Sequence, residues 1–146
     1  MVTTVLTRTV SRLLLASAWV IAAAVLVKGY ADTGDGFSAG VIAAIGVLLQ
    51  YVAFGYTEAH RLLPVRYAPA GVVVGLLLSL VVAFVPVLRG RPVLTHTPPP
   101  GAEVIHLGTV ELLTAVAFDV GVFMLVCGFI VGTIDIIARA AHRRDA

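Results

Sequence analysis

Polar side chains inside long apolar runs are where this sequence could do chemistry. Glu111, Asp119 and Asp135 lie in the last apolar stretch, and Gln50 lies in the second. A carboxylate in hydrocarbon costs about 2.5–3.5 kcal/mol on insertion scales, so it must be neutralised, paired or next to water. Read as helix from Gly108, Asp119 lies about 16 Å along it, near the middle of a layer about 30 Å thick. Its own helix face holds Leu112, Ala115, Val116, Val122, Phe123 and Val126, so no partner comes from there. Gln50 on span two is the mate the chain offers if it lies at a similar depth; otherwise the partner belongs to another protein. Two readings stand: a proton or cation relay group, or an acid whose hydroxyl bonds a neighbouring helix. Glu111 falls two turns further out, rotated by about 80°. It is an entrance to the same path or a plain interfacial carboxylate. Asp135 precedes Arg139 by four residues, a helical ion-pair spacing, and reads as structural.

Other candidate motifs carry less. Asp32-Thr33-Gly34-Asp35-Gly36-Phe37 lacks the ligand spacing and distal Glu of an EF-hand. As an aspartic-protease tripeptide it has no paired acid. It reads as a tight glycine-rich start to a helix, where Gly34 and Gly36 permit positive φ and an acid favours the helix dipole. His60, His96, His106 and His142 lie in loops or at helix ends, without the spacing of a metal site or a pair of haem ligands. The single cysteine, Cys127, excludes an internal disulfide. No cofactor, metal site or nucleophile is assembled, so the chain does not read as an enzyme.

These residues need elements to hold them, and the composition says which kind. Sixty per cent of the 146 residues are hydrophobic and 12% are charged, against about 25% charged in soluble domains. The mean hydropathy is +1.04. A soluble domain and a disordered chain are both excluded. The net charge of +2 is not gathered into a nucleic-acid face. What remains is an all-α integral membrane protein with one domain, residues 1–146, and four spans near 6–28, 37–56, 67–87 and 108–137. The runs do not alternate with period two, so they are not barrel strands. A cleaved signal peptide fits the first run poorly, because its alanines lie inside the apolar core. Four spans bring both termini to one side with seven arginines, against Lys28, Arg89 and Arg91 on the other. The positive-inside rule makes the termini cytoplasmic. Pro98-Pro99-Pro100-Gly101 reads as a stiff spacer or a plain surface loop on the outer side.

Small residues mark faces for close helix packing. Gly36, Ala39, Gly40, Ala43 and Gly46 form a ridge on span two. Gly71 with Gly75, and Gly128 with Gly132, make G-x-x-x-G pairs on spans three and four. Some of these ridges serve packing within the chain, and the remaining helix faces are apolar and suit lipid equally well.

The stretch Gly34-Asp35-Gly36-Phe37-Ser38-Ala39-Gly40-Val41 leads into a small-residue helix and resembles the MnhB family, whose members belong to Mrp-type multisubunit cation/proton antiporters. The family's usual form is Pro-Gly-Gly-Gly-Phe; here Thr33 replaces the proline and Asp35 a glycine. Phe118-Asp119-Val120-Gly121-Val122-Phe123 is similar to the family's Phe-Asp-Ile-Gly-Val-Tyr in its last span. The resemblance covers nearly the whole chain. It implies a small, multi-pass cell-membrane subunit without its own transport cycle, packed against large antiporter-like subunits and other small ones, serving exchange of H+ and a monovalent cation. Related subunits occur in membrane-bound hydrogenases and complex-I-like machines. A self-contained small channel is the other reading. It would need polar groups from several helices at one depth, and spans one and three offer only hydroxyls such as Ser17 and Ser79.

Overall fold

Long apolar runs must satisfy their backbone internally in lipid, and a helix does so within one segment. The computed structural model describes residues 5–29, 34–94, 106–107, 110–111 and 114–144. The four expected spans are helices: α1 (Val5–Lys28), α2 (Gly36–Phe54), α4 (Leu63–Leu88) and α5 (Thr114–Arg144). All four are long and apolar enough to cross a membrane. Short α3 (Tyr56–Ala59) links α2 to α4, and β1 (His106–Leu107) pairs antiparallel with β2 (Val110–Glu111). The Pro98–Gly101 spacer lies outside the described residues.

The ends of the helices follow local chemistry. Gly55 takes φ 78° and stops α2 two residues short of the expected Tyr56. Leu62 is extended and Pro64 sits in the first turn of α4, a position that needs no amide hydrogen. That start precedes the expected one by four residues. Pro69 and Pro86 lie inside α4, where neighbouring helices make such breaks tolerable. The last span differs most. It begins at Thr114, not near Gly108, and residues 106–107 and 110–111 pair as short strands instead of extending the helix. The fold is therefore helical except for this one short pair among the described residues.

The helices pack in the order α1–α2–α5–α4. Central α2 is hidden from two sides, with Ala39, Ala43, Ala44 and Val47 fully buried. Its small-residue ridge is spent inside the chain. A side chain at Gly40 would meet Val126 and the Phe123 carbonyl of α5 at 3.0–3.1 Å, and one at Gly46 would meet Ala18 of α1 at 2.8 Å. Gly75 of α4 lies against the backbone of Gly121 and Leu125, and Gly128 of α5 against that of Ala68 and Val72. Trp19 on α1 reaches Phe123 on α5 edge-on, with ring centroids 6.3 Å apart. Outer helices α1 and α4 do not pack along one another, and both leave large apolar side chains exposed.

Candidate functional site

Asp119 is held where three chain segments meet. It lies five residues into α5, about 7.5 Å from the start of that helix. Its depth is thus near one end of the helix, not at the centre expected from a start at Gly108. The carboxylate is buried, and its Oδ2 accepts a hydrogen bond of 2.9 Å from the Gly34 amide. Gly34 adopts φ 117°, a backbone conformation that costs glycine nothing, and this aims its N–H at the acid. Gly36 opens α2 directly on the Asp119 carbonyl, too close to admit a Cβ. Gly29, after the end of α1, leaves only 3.1 Å between an added Cβ and Asp119 Oδ2. Three glycines thus make a cradle for one acid. Beside it, Lys28 Nζ lies 3.5 Å from Asp35 Oδ2, closing α1 onto the residue just before α2. Asp35 makes no side-chain cap on α2, so the ion pair rather than a capping bond accounts for its orientation. The two sequence motifs are one joint: Gly34 and Gly36 touch Asp119, and Gly40 abuts the Phe123 carbonyl. Phe37 points outward at 61% exposure, Phe118 is half-buried, and Gly121 faces Ser79 of α4.

Two other expectations are corrected. Gln50 does not pair with Asp119. Fourteen residues beyond Gly36 on α2, it lies about 21 Å further along the helix. Its Nε2 donates to the Ser11 carbonyl at 2.8 Å and joins α2 to α1. Glu111 belongs to β2, opposite His106, so the helical offset of about 80° from Asp119 does not exist.

The far end of α5 holds a polar cluster where the sequence suggests a simple ion pair. Asp135 does bind Arg139, at 3.0 Å. Its other oxygen also accepts from the Tyr51 hydroxyl at 2.7 Å, and His60 Nδ1 lies 2.7 Å from that same oxygen. Tyr56 stacks on both His60 and His142, with centroids 5.0 and 5.2 Å away, so the short α3 clamps the end of α5. No linear spacing joins Tyr51, His60 and Asp135. The turn at Gly55 does, by folding residues 56–60 back over the bundle end.

The two polar sites are sixteen residues apart on α5, about 24 Å. Between them the buried positions of α5 are Gly121, Cys127, Gly128 and Val131. Polar groups therefore fasten the ends of α5, and its middle is apolar and closely packed; the buried Ser79 hydroxyl of α4, against Gly121, is a polar group inside the α4–α5 contact. Among the described residues no group of three or more His, Cys, Asp or Glu can hold a metal ion.

Four spanning helices, with polar joints at both ends of α5 and glycine packing between, define a multi-pass integral membrane protein. Residues 6–132 match the family model described as a domain related to the MnhB subunit of Na+/H+ antiporter. The chain belongs to that family. It is 34% identical to the B subunit of the Na(+)/H(+) antiporter of Bacillus subtilis over 113 residues, 77% of each chain. The corresponding B subunit of Alkalihalophilus pseudofirmus is 31% identical over 76% of each chain. A longer Rhizobium meliloti chain, named as the A/B subunit of a probable K(+)/H(+) antiporter, is 33% identical over 84% of this chain and 12% of its own length.

Proposed function

We propose that this chain is a small, non-enzymatic membrane subunit of an Mrp-type monovalent cation/proton antiporter. It packs against larger antiporter-like subunits that carry the transport cycle, and its arginine-rich end and both termini face the cytoplasm. The observation that carries this reading is the division of polar groups between the two ends of α5, with an apolar, glycine-packed middle. Such a bundle has no proton route of its own through the layer, so exchange requires other chains. The A/B name of the Rhizobium meliloti relative, whose chain includes a B-like part, supports a position beside an A-type neighbour. Both Na+ and K+ occur in the relatives' names, so the cation belongs to the host complex.

Within that complex, Asp119 is the residue of this chain that contributes to the ion path. Its carboxylate holds the Gly34 loop, and with Lys28 and Asp35 it shapes a charged rim at one end of the bundle. Purification from the native membrane in mild detergent, followed by mass spectrometry, should recover large antiporter-like subunits in fixed ratio. A chain recovered alone would sink this reading, and redox subunits in its company would move it to a hydrogenase-like machine. Asp119→Asn should lower coupled exchange in membrane vesicles while the complex still assembles. Unchanged exchange in a normally assembled complex would remove Asp119 from the path. For orientation, a thiol placed by Arg143→Cys should be protected from impermeant reagents in whole cells, and one placed by Arg89→Cys should be labelled.

A further inference from the structure

A basic cavity of about 530 Å³ opens at the arginine-rich end, between the α3–α4 turn, α4 and α5. It is lined by His60, Arg61, Arg66, Asp135 and Arg139, with Val65 and Pro69 forming its apolar side. Asp135 already binds Arg139, Tyr51 and His60. Arg61 and Arg66 join no ion pair among the described residues, and both side chains are exposed. Three arginines against one aspartate leave the lining with two uncompensated positive charges when His60 is neutral. The first turn of the 26-residue α4 adds the positive end of a helix dipole.

The face of α4 that carries Arg66 and Pro69 into this cavity continues toward the middle of the helix as Val73, Leu77 and Leu80. These side chains are 56%, 56% and 43% exposed, and their offsets fall on one helical stripe. From Arg66 to Leu77 the stripe runs about 16 Å, the depth of one leaflet of a layer about 30 Å thick. A positive pocket roomy enough for a phosphate headgroup, standing over an apolar stripe one leaflet long, has the two halves of a phospholipid site. Basic pockets between membrane helices take anionic headgroups in this way.

We propose that this cavity binds the phosphate of an anionic phospholipid, phosphatidylglycerol or cardiolipin, with one acyl chain lying along Val73, Leu77 and Leu80. Arg61 and Arg66 hold the phosphate oxygens. Arg139, tied to Asp135, supplies background charge. The bound lipid would bridge the α3–α4 turn to α5 and stiffen the bundle end.

The test uses the full chain, reconstituted in nanodiscs of phosphatidylcholine mixed with phosphatidylglycerol and released for native mass spectrometry. Wild type should retain phosphatidylglycerol over phosphatidylcholine. Arg61→Gln/Arg66→Gln should lower that retention about thirtyfold, and Arg61→Lys/Arg66→Lys should keep most of it. Both side chains are exposed, so the helical circular-dichroism signal should not change. Leu77→Asp should weaken retention of the long-chain lipid without affecting a short-chain analogue. Equal retention by the Gln variant would overturn the proposal, as would equal retention of phosphatidylcholine. Displacement of the lipid by millimolar inorganic phosphate would overturn it in favour of a free anion. Cross-linking of Arg66→Cys to an acidic segment of another protein in the purified complex, without bound lipid, would overturn it in favour of that protein.

Discussion

At the scale of single residues, the informative side chains are acids that have found donors. Asp119 accepts from one backbone amide, and Asp135 is approached by a tyrosine, a histidine and an arginine. Asp119 is buried but Gly34 is exposed, so an amide freed of its acceptor can turn to water and the loss is close to the worth of the bond itself. Asp119→Ala should therefore destabilise the chain by about 0.5–1.5 kcal/mol, with the damage confined to the segment around Gly34. Denaturation in micelles would give the magnitude, and hydrogen exchange at the Gly34 amide would give the place. An unprotected Gly34 amide in the wild type would contradict the bond itself. Tyr51→Phe deletes one donor to a carboxylate that keeps two others. It should cost about 1.5 kcal/mol, the lower end for bonds to charged groups. A loss as small as that of a surface substitution would mean the Tyr51 bond does not form in the membrane.

At the scale of elements, glycines decide how near two helices come. The two G-x-x-x-G pairs look equivalent in sequence, but only one member of each is tight. A Cβ at Gly75 would fall 2.5 Å from the Leu125 nitrogen, and one at Gly128 would fall 2.7 Å from the Ala68 carbonyl. At Gly71 and Gly132 the nearest atoms are 3.5 and 3.9 Å away, ordinary contact distances. Gly75→Ala and Gly128→Ala should each push α4 from α5 and cost about 1–3 kcal/mol by overpacking. Gly71→Ala and Gly132→Ala should be neutral or stabilising by up to about 1 kcal/mol, since alanine is the better helix former. Unfolding of the four variants in one detergent would separate the pairs. Four equal losses would mean that the α4–α5 packing differs from the geometry described. The same reasoning moves Gly40 inside the chain. Gly40→Leu would first break α2 from α5, and loss of any complex would follow from that.

At the scale of the whole molecule, the row α1–α2–α5–α4 leaves its outer helices open and its middle closely packed. Polar atoms tie the row together at its ends, and small residues close it between. A single chain of this design should not conduct protons. Liposomes containing the purified chain and a pH-sensitive dye should hold an imposed gradient as long as empty liposomes do. A leak that Asp119→Asn abolishes would instead argue for an autonomous channel. Exposed Leu13, Val20, Val73 and Phe84 belong to lipid or to neighbouring proteins, since nothing in the row covers them.

The sequence by itself determined the class of the molecule. Too little charge for a soluble surface, four long apolar runs and glycines at helical spacing leave no other kind of fold, because lipid admits only backbone that satisfies itself. It also singled out Gly34, Gly36 and Asp119 as special. What it could not say is that they touch, since a contact between residues 85 apart leaves no periodic trace in either segment. The tertiary structure decided the rest. It started α5 at Thr114, which moved Asp119 to a helix end and Glu111 into a strand. It gave Gln50 to Ser11, and it gathered Tyr51, His60 and Arg139 around the Asp135 carboxylate by turning the chain at Gly55. Spacing along a helix shows which side chains share a face. Which face meets which is settled only when the helices pack, because every helix here is apolar enough to have packed another way.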